Sequence, residues 1–176
     1  MYSDGTLPNQ ITGLQALVSD TGTGTLGGID PNTWTFWRNA VQSAAAPMQG
    51  GAAITVGPST MESLWLPLWM ELSEGDDKPD LIVCSNDYFQ HYENSQLSLK
   101  RYTSADEGKG GFVSMKYKTA DVIYDGGSGI PNAHAYFLNT DYIQLCVHPE
   151  ADLTQMDSRT PVQQDASVTP MLWMGN

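Results

Sequence analysis

The hydrophobic residues of this chain change their spacing along the sequence, and this change most constrains the fold. Leu64 and Leu68 are spaced as on one face of a helix. Ser59 and Glu62 have the spacing of a capping box, so the helix is predicted to start at Ser59 and to kink or break near Pro67. From 112 to 118 apolar and polar residues alternate, as in a half-buried strand. One chain therefore combines helices with strands, which predicts an α+β fold.

Further short apolar runs, bounded by turn-forming residues, predict additional strands. They lie at 81–84, 122–124, 136–138, 142–147 and 162–173. The spacing of Leu14 and Leu17 predicts one short helix, and the polar side chains at 85–87 predict the start of another that runs from Asp87 to about Leu99. We expect a mixed or antiparallel central sheet flanked by a few helices with long loops, in a single domain over residues 1–176.

The charge of the chain argues against nucleic-acid binding. Lys and Arg number 8 against 20 Asp and Glu, which gives a formal charge of −12 and repels phosphate groups. The longest apolar run, 64–70, is far shorter than the ~20 residues of a membrane span, and residues 1–5 show no signal-peptide pattern. We therefore expect a protein that does not enter a membrane.

Three local patterns resemble functional sites, and each has a simpler explanation. The glycines at 22–27 match the dinucleotide fingerprint, but no strand precedes them and no helix follows, so a loop is predicted. The glycines at 126–129 lack the strand-to-helix setting of a nucleophile elbow, and a turn is predicted. His91, His134 and His148 lack metal-ligand spacing. We predict no catalytic residue, no cofactor and no metal.

Both cysteines lie in apolar runs that are predicted to be strands. Cys84 ends the run 81–84, and Cys146 lies in the run 145–147. Small thiols pack well in such surroundings and are then slow to react. The sequence therefore predicts two buried, reduced thiols rather than a disulfide.

The densest aromatic segment consists of Trp34, Phe36 and Trp37, followed by Arg38. Large aromatic side chains and Arg are enriched in the centres of subunit interfaces. Packing in the core is the alternative, because an aromatic segment must be buried against something. These four residues are candidates for a subunit interface, and the choice between interface and core stays open at this stage.

Several segments, in their order along the chain, also carry a resemblance to a known family. They are 2–6 with 11–17, 27–30 with 36–39, 78–83 with 87–89, 111–126, 136–140 and 164–166. Taken together they resemble the major capsid proteins of tailed bacteriophages and prophages, which have the Hong Kong ninety-seven fold shared with herpesvirus shells. The resemblance implies an axial domain with part of the peripheral domain, since the family's N-terminal arm, extended loop and spine helix have no counterpart here. The run 162–173 stops without a turn, which predicts that the sequence continues in a longer chain.

The resemblance implies a structural coat protein without enzymatic activity. Its copies would form the pentamers and hexamers of an icosahedral virion shell that is made in the bacterial cytoplasm. The implied partners are other copies of the chain, a scaffolding protein, and enclosed DNA that is not bound by sequence. An acidic inner wall would repel the packaged DNA and let it leave freely.

Two other functional classes remain open from the sequence. A carbohydrate-binding or adhesion module is suggested by the five tryptophans and by many uncharged polar residues. A hydrolase that uses an acid pair is the second alternative, although no nucleophile, base or oxyanion motif accompanies the acids.

Overall fold

The computed structural model describes residues 13–97, 115–126, 129–144, 146–150, 152–159, 167 and 169–174. In this part of the chain the helices are α1 (Leu14–Leu17), α2 (Met61–Leu72) and α3 (Asn86–Leu97), with 3-10 helices at Thr35–Trp37 and Thr140–Tyr142. The strands are β1 (Leu81–Cys84), β2 (Met115–Tyr117), β3 (Ala120–Tyr124), β4 (Ala135–Leu138), β5 (Thr154–Gln155) and β6 (Met171–Leu172). None of the helices among these residues is long and apolar enough to cross a membrane.

The main sheet has four strands in the order β2-β3-β1-β4. β1 runs parallel to β3 and antiparallel to β4, and β2 pairs antiparallel with β3. Parallel neighbours need a long crossover connection, and α3 lies in the one between β1 and β3. The prediction of an α+β fold with a mixed sheet and a few helices is confirmed.

β1 lies inside the sheet and is covered on both faces. Ile82 and Cys84 belong to the larger core cluster with α2 and α3, whereas Val83 packs with Ile130 and Tyr136 in a second cluster. Successive side chains of a strand point to opposite faces, so the two clusters lie on opposite sides of the sheet. A strand buried on both faces needs a continuous apolar run, which explains the sequence of β1.

Trp65 of α2 is the centre of the larger cluster and is only 2% exposed. Its ring stacks on Tyr92 of α3, with 4.8 Å between the ring centroids. It also meets Tyr117 of β2 at 5.4 Å and Phe137 of β4 at 5.6 Å, both edge to face. Such pairs contribute roughly 0.5–1.5 kcal/mol each beyond the area they bury. One side chain thus links α2 to α3 and to both edge strands.

The start of α2 differs from the prediction. The helix begins at Met61 with Thr60 at the N-cap position, and no side chain caps it. The Thr60 hydroxyl instead donates to the carbonyls of Thr55 (2.7 Å) and Gly57 (3.1 Å). The predicted capping box at Ser59 is therefore wrong. The Thr60 hydroxyl, which lies next to the first turn, bonds to the preceding loop and does not cap the helix.

The predicted break near Pro67 does not occur, since α2 continues through this residue, and the alternative of a kink there stays a prediction. Proline has no amide hydrogen, so the Ser63 carbonyl loses its usual helical donor. The side-chain nitrogen of Gln49 lies 3.5 Å from that oxygen and takes the donor's place. Leu64 and Leu68 on either side of the proline are buried, and this packing holds the helix together.

The chain after β4 does not form the predicted strand 142–147. The side chain of Asn139 accepts a hydrogen bond from the amide of Asp141 at 3.1 Å, and a 3-10 helix follows. Residues 143, 144 and 146 lie outside any strand, and Cys146 is exposed. The prediction that Cys146 is buried is therefore wrong, because the described residues after this turn do not join the sheet.

Other predicted elements agree where the structure describes them. The strands at 81–84, 122–124 and 136–138 are confirmed as β1, β3 and β4, and the helix predicted from Asp87 is α3. The beginning of the strand predicted at 112 lies outside the described residues, as do Leu99 and most of the strand predicted at 162–173. From that last strand, residues 171–172 form β6.

Two carboxylates connect the ends of β1 to distant parts of the chain. Asp80 accepts hydrogen bonds from the amide of Thr140, at 2.8 Å, and from its hydroxyl. The hydroxyl contact is the main cause of the lowered pKa of Asp80. Asp87, at the start of α3, accepts from the amide of Ala133 at 2.9 Å. The loops on both sides of β4 are thereby fixed to β1 and α3.

The two hydroxyls before α2 should differ in their effect on stability. Thr60→Ala should lower the free energy of unfolding by about 0.5–1.5 kcal/mol, because the hydrogen bonds that close the preceding loop are lost. Ser59→Ala is the matched control and should change it by less than about 0.5 kcal/mol, since Ser59 is exposed. Urea unfolding of both variants measures the difference. A larger loss for Ser59→Ala would restore the capping box.

The two thiols should react at very different rates. Burial, with a contribution from the negative charge of Asp87, raises the pKa of Cys84 to about 12, so this thiol stays protonated and protected. Cys146 is exposed. A thiol reagent should label one cysteine per native chain rapidly and the second only after unfolding, and Cys146→Ser should remove the fast phase. Rapid labelling that survives Cys146→Ser would contradict the burial of Cys84.

Candidate functional site

The aromatic patch, which we define as Trp34, Phe36, Trp37 and Arg38, lies on the surface. Its three rings are 55%, 76% and 45% exposed, and Arg38 is exposed as well. Trp34 and Phe36 meet edge to face, with 6.1 Å between centroids and 64° between planes. Within one chain these rings are therefore not part of the core, and their apolar area is available to another molecule.

The loop that carries the aromatic patch is held at both ends. Before it, the Asp30 carboxylate accepts from the amide of Asn32 at 2.9 Å, and the Asp30 carbonyl accepts from the amide of Trp34 at 2.9 Å. After it, the side-chain nitrogen of Asn39 donates to the Ser19 carbonyl at 2.9 Å. The rings are thus displayed on an ordered loop, which lowers the entropy cost of binding.

Gly22 permits the close approach of the two loop segments. Its φ is +65°, and a Cβ atom there would lie 3.0 Å from the Asn39 carbonyl oxygen. Glycine adopts this conformation without strain and leaves room for the neighbouring backbone. Gly22 therefore serves loop packing, whereas a Cβ at Gly24 or Gly27 would meet nothing within 4 Å. The prediction of a loop at 22–27 is confirmed.

A cleft of about 430 Å³ lies beside this loop. Residues 39–45 form one wall, α2 contributes Leu64, Trp65 and Leu68, and β4 contributes Tyr136 and Phe137. The lining is mostly apolar, and Asp20 is the one carboxylate among the described residues that line it. The acid pair that a hydrolase of this type needs is not assembled there.

His134 and Asp20 form the charged pair of the cleft. The Nε2 atom of His134 lies 3.1 Å from a carboxylate oxygen of Asp20, and Nδ1 donates to the Asn132 carbonyl at 2.7 Å. Burial alone would lower the pKa of His134, but the Asn132 carbonyl and the negative charges of Asp20 and Asp87 outweigh it, so the pKa is raised. With both ring nitrogens engaged, His134 is not placed to take a proton from a nucleophile.

The other residues considered for metal binding or catalysis do not lie together in the described part of the chain. No group of three or more metal-binding side chains occurs among the described residues. His91 lies on α3, and His148 lies beyond the second 3-10 helix. Gly126 and Gly129 belong to the connection between β3 and β4, while residues 127 and 128 lie outside the described part of the chain. The cleft and its His134–Asp20 pair were not anticipated, because the two residues are far apart in sequence and carry no local motif.

The His134–Asp20 pair should make stability depend on pH. Because the pKa of His134 is raised in the folded state, its protonated ring stabilises the fold. This stabilisation is fully present below the unfolded pKa of about 6.5 and is lost as the pH rises through the folded pKa. His134→Gln should therefore destabilise the chain at about pH 6 and have a smaller effect at about pH 9. Urea unfolding at both pH values measures this, and Asp20→Asn should reduce the difference, while the hydrogen bond to the Asn132 carbonyl remains. An effect of His134→Gln that grows with pH would contradict the pairing.

Comparisons with known protein families, with curated proteins and with solved structures found no match to this chain. The chemistry of the chain's own residues is therefore what bears on its function. The cleft offers one ion pair and no arranged nucleophile among the described residues. The aromatic patch offers exposed apolar area on an ordered loop, which is the stronger functional feature.

Proposed function

We propose that this chain is a structural major capsid protein of the tailed-phage type, without enzymatic activity, whose copies assemble into the pentamers and hexamers of an icosahedral shell around DNA. The observation that carries the proposal is the aromatic patch. Three large rings and an Arg side chain are exposed together on a loop that is already ordered. Rings of this kind are the usual anchors of subunit interfaces, and their exposure in a single chain calls for a partner.

The segments that carry the resemblance to capsid proteins also fit a structural role. Segment 78–83 contains most of β1, and segment 136–140 contains most of β4 and the turn after it. Asp80 of the first segment binds Thr140 of the second, and Asn39 binds the Ser19 carbonyl. These polar side chains hold the fold together, which is what a repeated building block requires.

The charge of the chain suits a shell that encloses DNA without binding it. With a formal charge of −12 on each copy, the inner wall of the shell would repel the phosphates of DNA, so the DNA can be packed and released. The same charge makes copies repel each other, and salt would screen this repulsion over a Debye length of about 8 Å at physiological strength. The contacts between copies must therefore come from apolar area such as the aromatic patch.

A carbohydrate-binding module is the second candidate, since the same exposed rings could stack on sugars. A sugar ring stacks on a flat aromatic face, whereas Trp34 and Phe36 meet at 64° and share no common plane. This geometry favours a contact that interlocks with another protein surface. Binding on a glycan array that is lost with Trp34→Ala and Trp37→Ala would favour the carbohydrate candidate instead.

Substitution of two rings of the aromatic patch should reduce assembly without unfolding the chain. We expect Phe36→Ala with Trp37→Ala to reduce the yield of shells severalfold, because these exposed side chains would be missing from the contact between copies. The melting temperature of the 176-residue chain should stay close to that of the wild type. Met70→Ala, which removes an exposed apolar side chain from α2, is the matched control and should preserve the yield.

Electron microscopy of particles and thermal melting measure these two effects. An unchanged shell yield would contradict the role of the aromatic patch, and a large loss of melting temperature would place the rings in the core. A wild-type gene product that forms neither shells nor capsomers would contradict the proposed function itself.

A further inference from the structure

A second exposed apolar surface lies near the end of the described chain. β5 and β6 form a two-stranded antiparallel sheet, separate from the main sheet. Additional backbone bonds join Met156 to Pro170 and His148 to Met174, each at 2.9 Å. A two-stranded sheet is only marginally stable by itself in water, so it gains stability from a partner.

This surface, which we call the methionine ribbon, is rich in flexible side chains. Its members are Met156, Leu172 and Met174, which are 39% to 56% exposed. The register of the strand pair and the alternation of side chains along a strand place these three on one face. Methionine adapts its shape to a partner and makes favourable contacts between its sulfur and aromatic rings, worth roughly 0.3–1.5 kcal/mol each. The methionine ribbon is thus chemically suited to receive rigid aromatic side chains.

The charges beside the two surfaces are also complementary. Glu150, Asp152 and Asp157 are exposed beside the methionine ribbon, against the single cation Arg159. Arg38 is exposed beside the aromatic rings, while the nearby carboxylate of Asp30 accepts hydrogen bonds from Asn32. In a chain with a charge of −12, a contact that places Arg38 against these acids avoids much of the repulsion between copies.

We propose that the aromatic patch of one copy packs on the methionine ribbon of the next copy. The inference rests on the proposed function, since it names the surface that receives the aromatic patch. Both surfaces are exposed within one chain, so they do not cover each other there. A contact between two different surfaces is heterologous, and its repetition closes into a ring when the rotation between copies is suitable. Pentamers and hexamers are closed rings of this kind.

Crosslinking between two proteins that each carry one exposed cysteine, besides the buried Cys84, tests this contact. In a Cys146→Ser background, Thr35→Cys marks the aromatic patch and Gln155→Cys marks the methionine ribbon, and both positions are exposed. Neither change removes an apolar side chain of the proposed contact. The two proteins carry tags of different mass and are mixed at high concentration with a short bis-maleimide linker. Met70→Cys, an exposed position on α2, replaces either partner as the control.

The expected result is an adduct of two chains that forms mainly between Thr35→Cys and Gln155→Cys proteins. Self-adducts of either protein and adducts with Met70→Cys should be minor. Arg38→Glu should reduce the mixed adduct by at least about tenfold, because like charges that face each other across an interface cost several kcal/mol.

Four other results would overturn the inference, and they separate it from the proposed function. Self-adducts of Thr35→Cys alone would indicate a symmetric contact between two aromatic patches. Self-adducts of Gln155→Cys alone would indicate pairing of two ribbons, as in strand addition. Either result, or oligomers in sedimentation without any adduct, would leave the proposed function standing. Chains that remain monomeric at every concentration and salt strength, with no adduct, would overturn both.

Discussion

The packing of Trp65 is the contact on which the rest of the structure depends. Its ring joins α2 to Tyr92 on α3 and to both edge strands, through Tyr117 and Phe137. The strands of the main sheet have only three to five residues each, so the sheet owes its stability to the helices that cover it. With α2 held in this position, Leu64 and Leu68 form one side of the cleft, and residues 39–45 pack along the other side. The loop before residue 39 then displays the aromatic patch.

The elements that could be predicted from sequence are those whose signals are local. β1 has a continuous apolar run because it is buried on both faces, and the helix predicted from Asp87 follows polar side chains at its start. The errors arose where distant contacts decide the outcome. Gln49 supplies a donor for the carbonyl that Pro67 leaves free, and Thr60 bonds to the preceding loop instead of capping the helix. Cys146 is exposed because a turn at Asn139 and a 3-10 helix follow β4 in place of a strand, and apolar neighbours in sequence do not reveal this.

The candidate site was predictable only in part, for a related reason. Trp34, Phe36 and Trp37 stand out by composition, but core and interface use the same residue types, so only their exposure separates the two. The cleft and the His134–Asp20 pair depend on the contact between an N-terminal loop and β4, which no motif announces. The proposal that copies of the chain contact each other rests on these exposed rings and on the loop that carries them.

Hydroxyl-radical footprinting, read by mass spectrometry, tests most directly whether copies assemble through the aromatic patch. The oxidation of Trp34, Phe36 and Trp37 is compared between assembled particles and the dissociated chain, with the buried Trp65 and the exposed Met70 as internal references. Assembly through the patch predicts strong protection of the three rings in the particles, little change at Met70 and low oxidation of Trp65 in both states. Equal oxidation of the three rings in assembled and dissociated protein would contradict it.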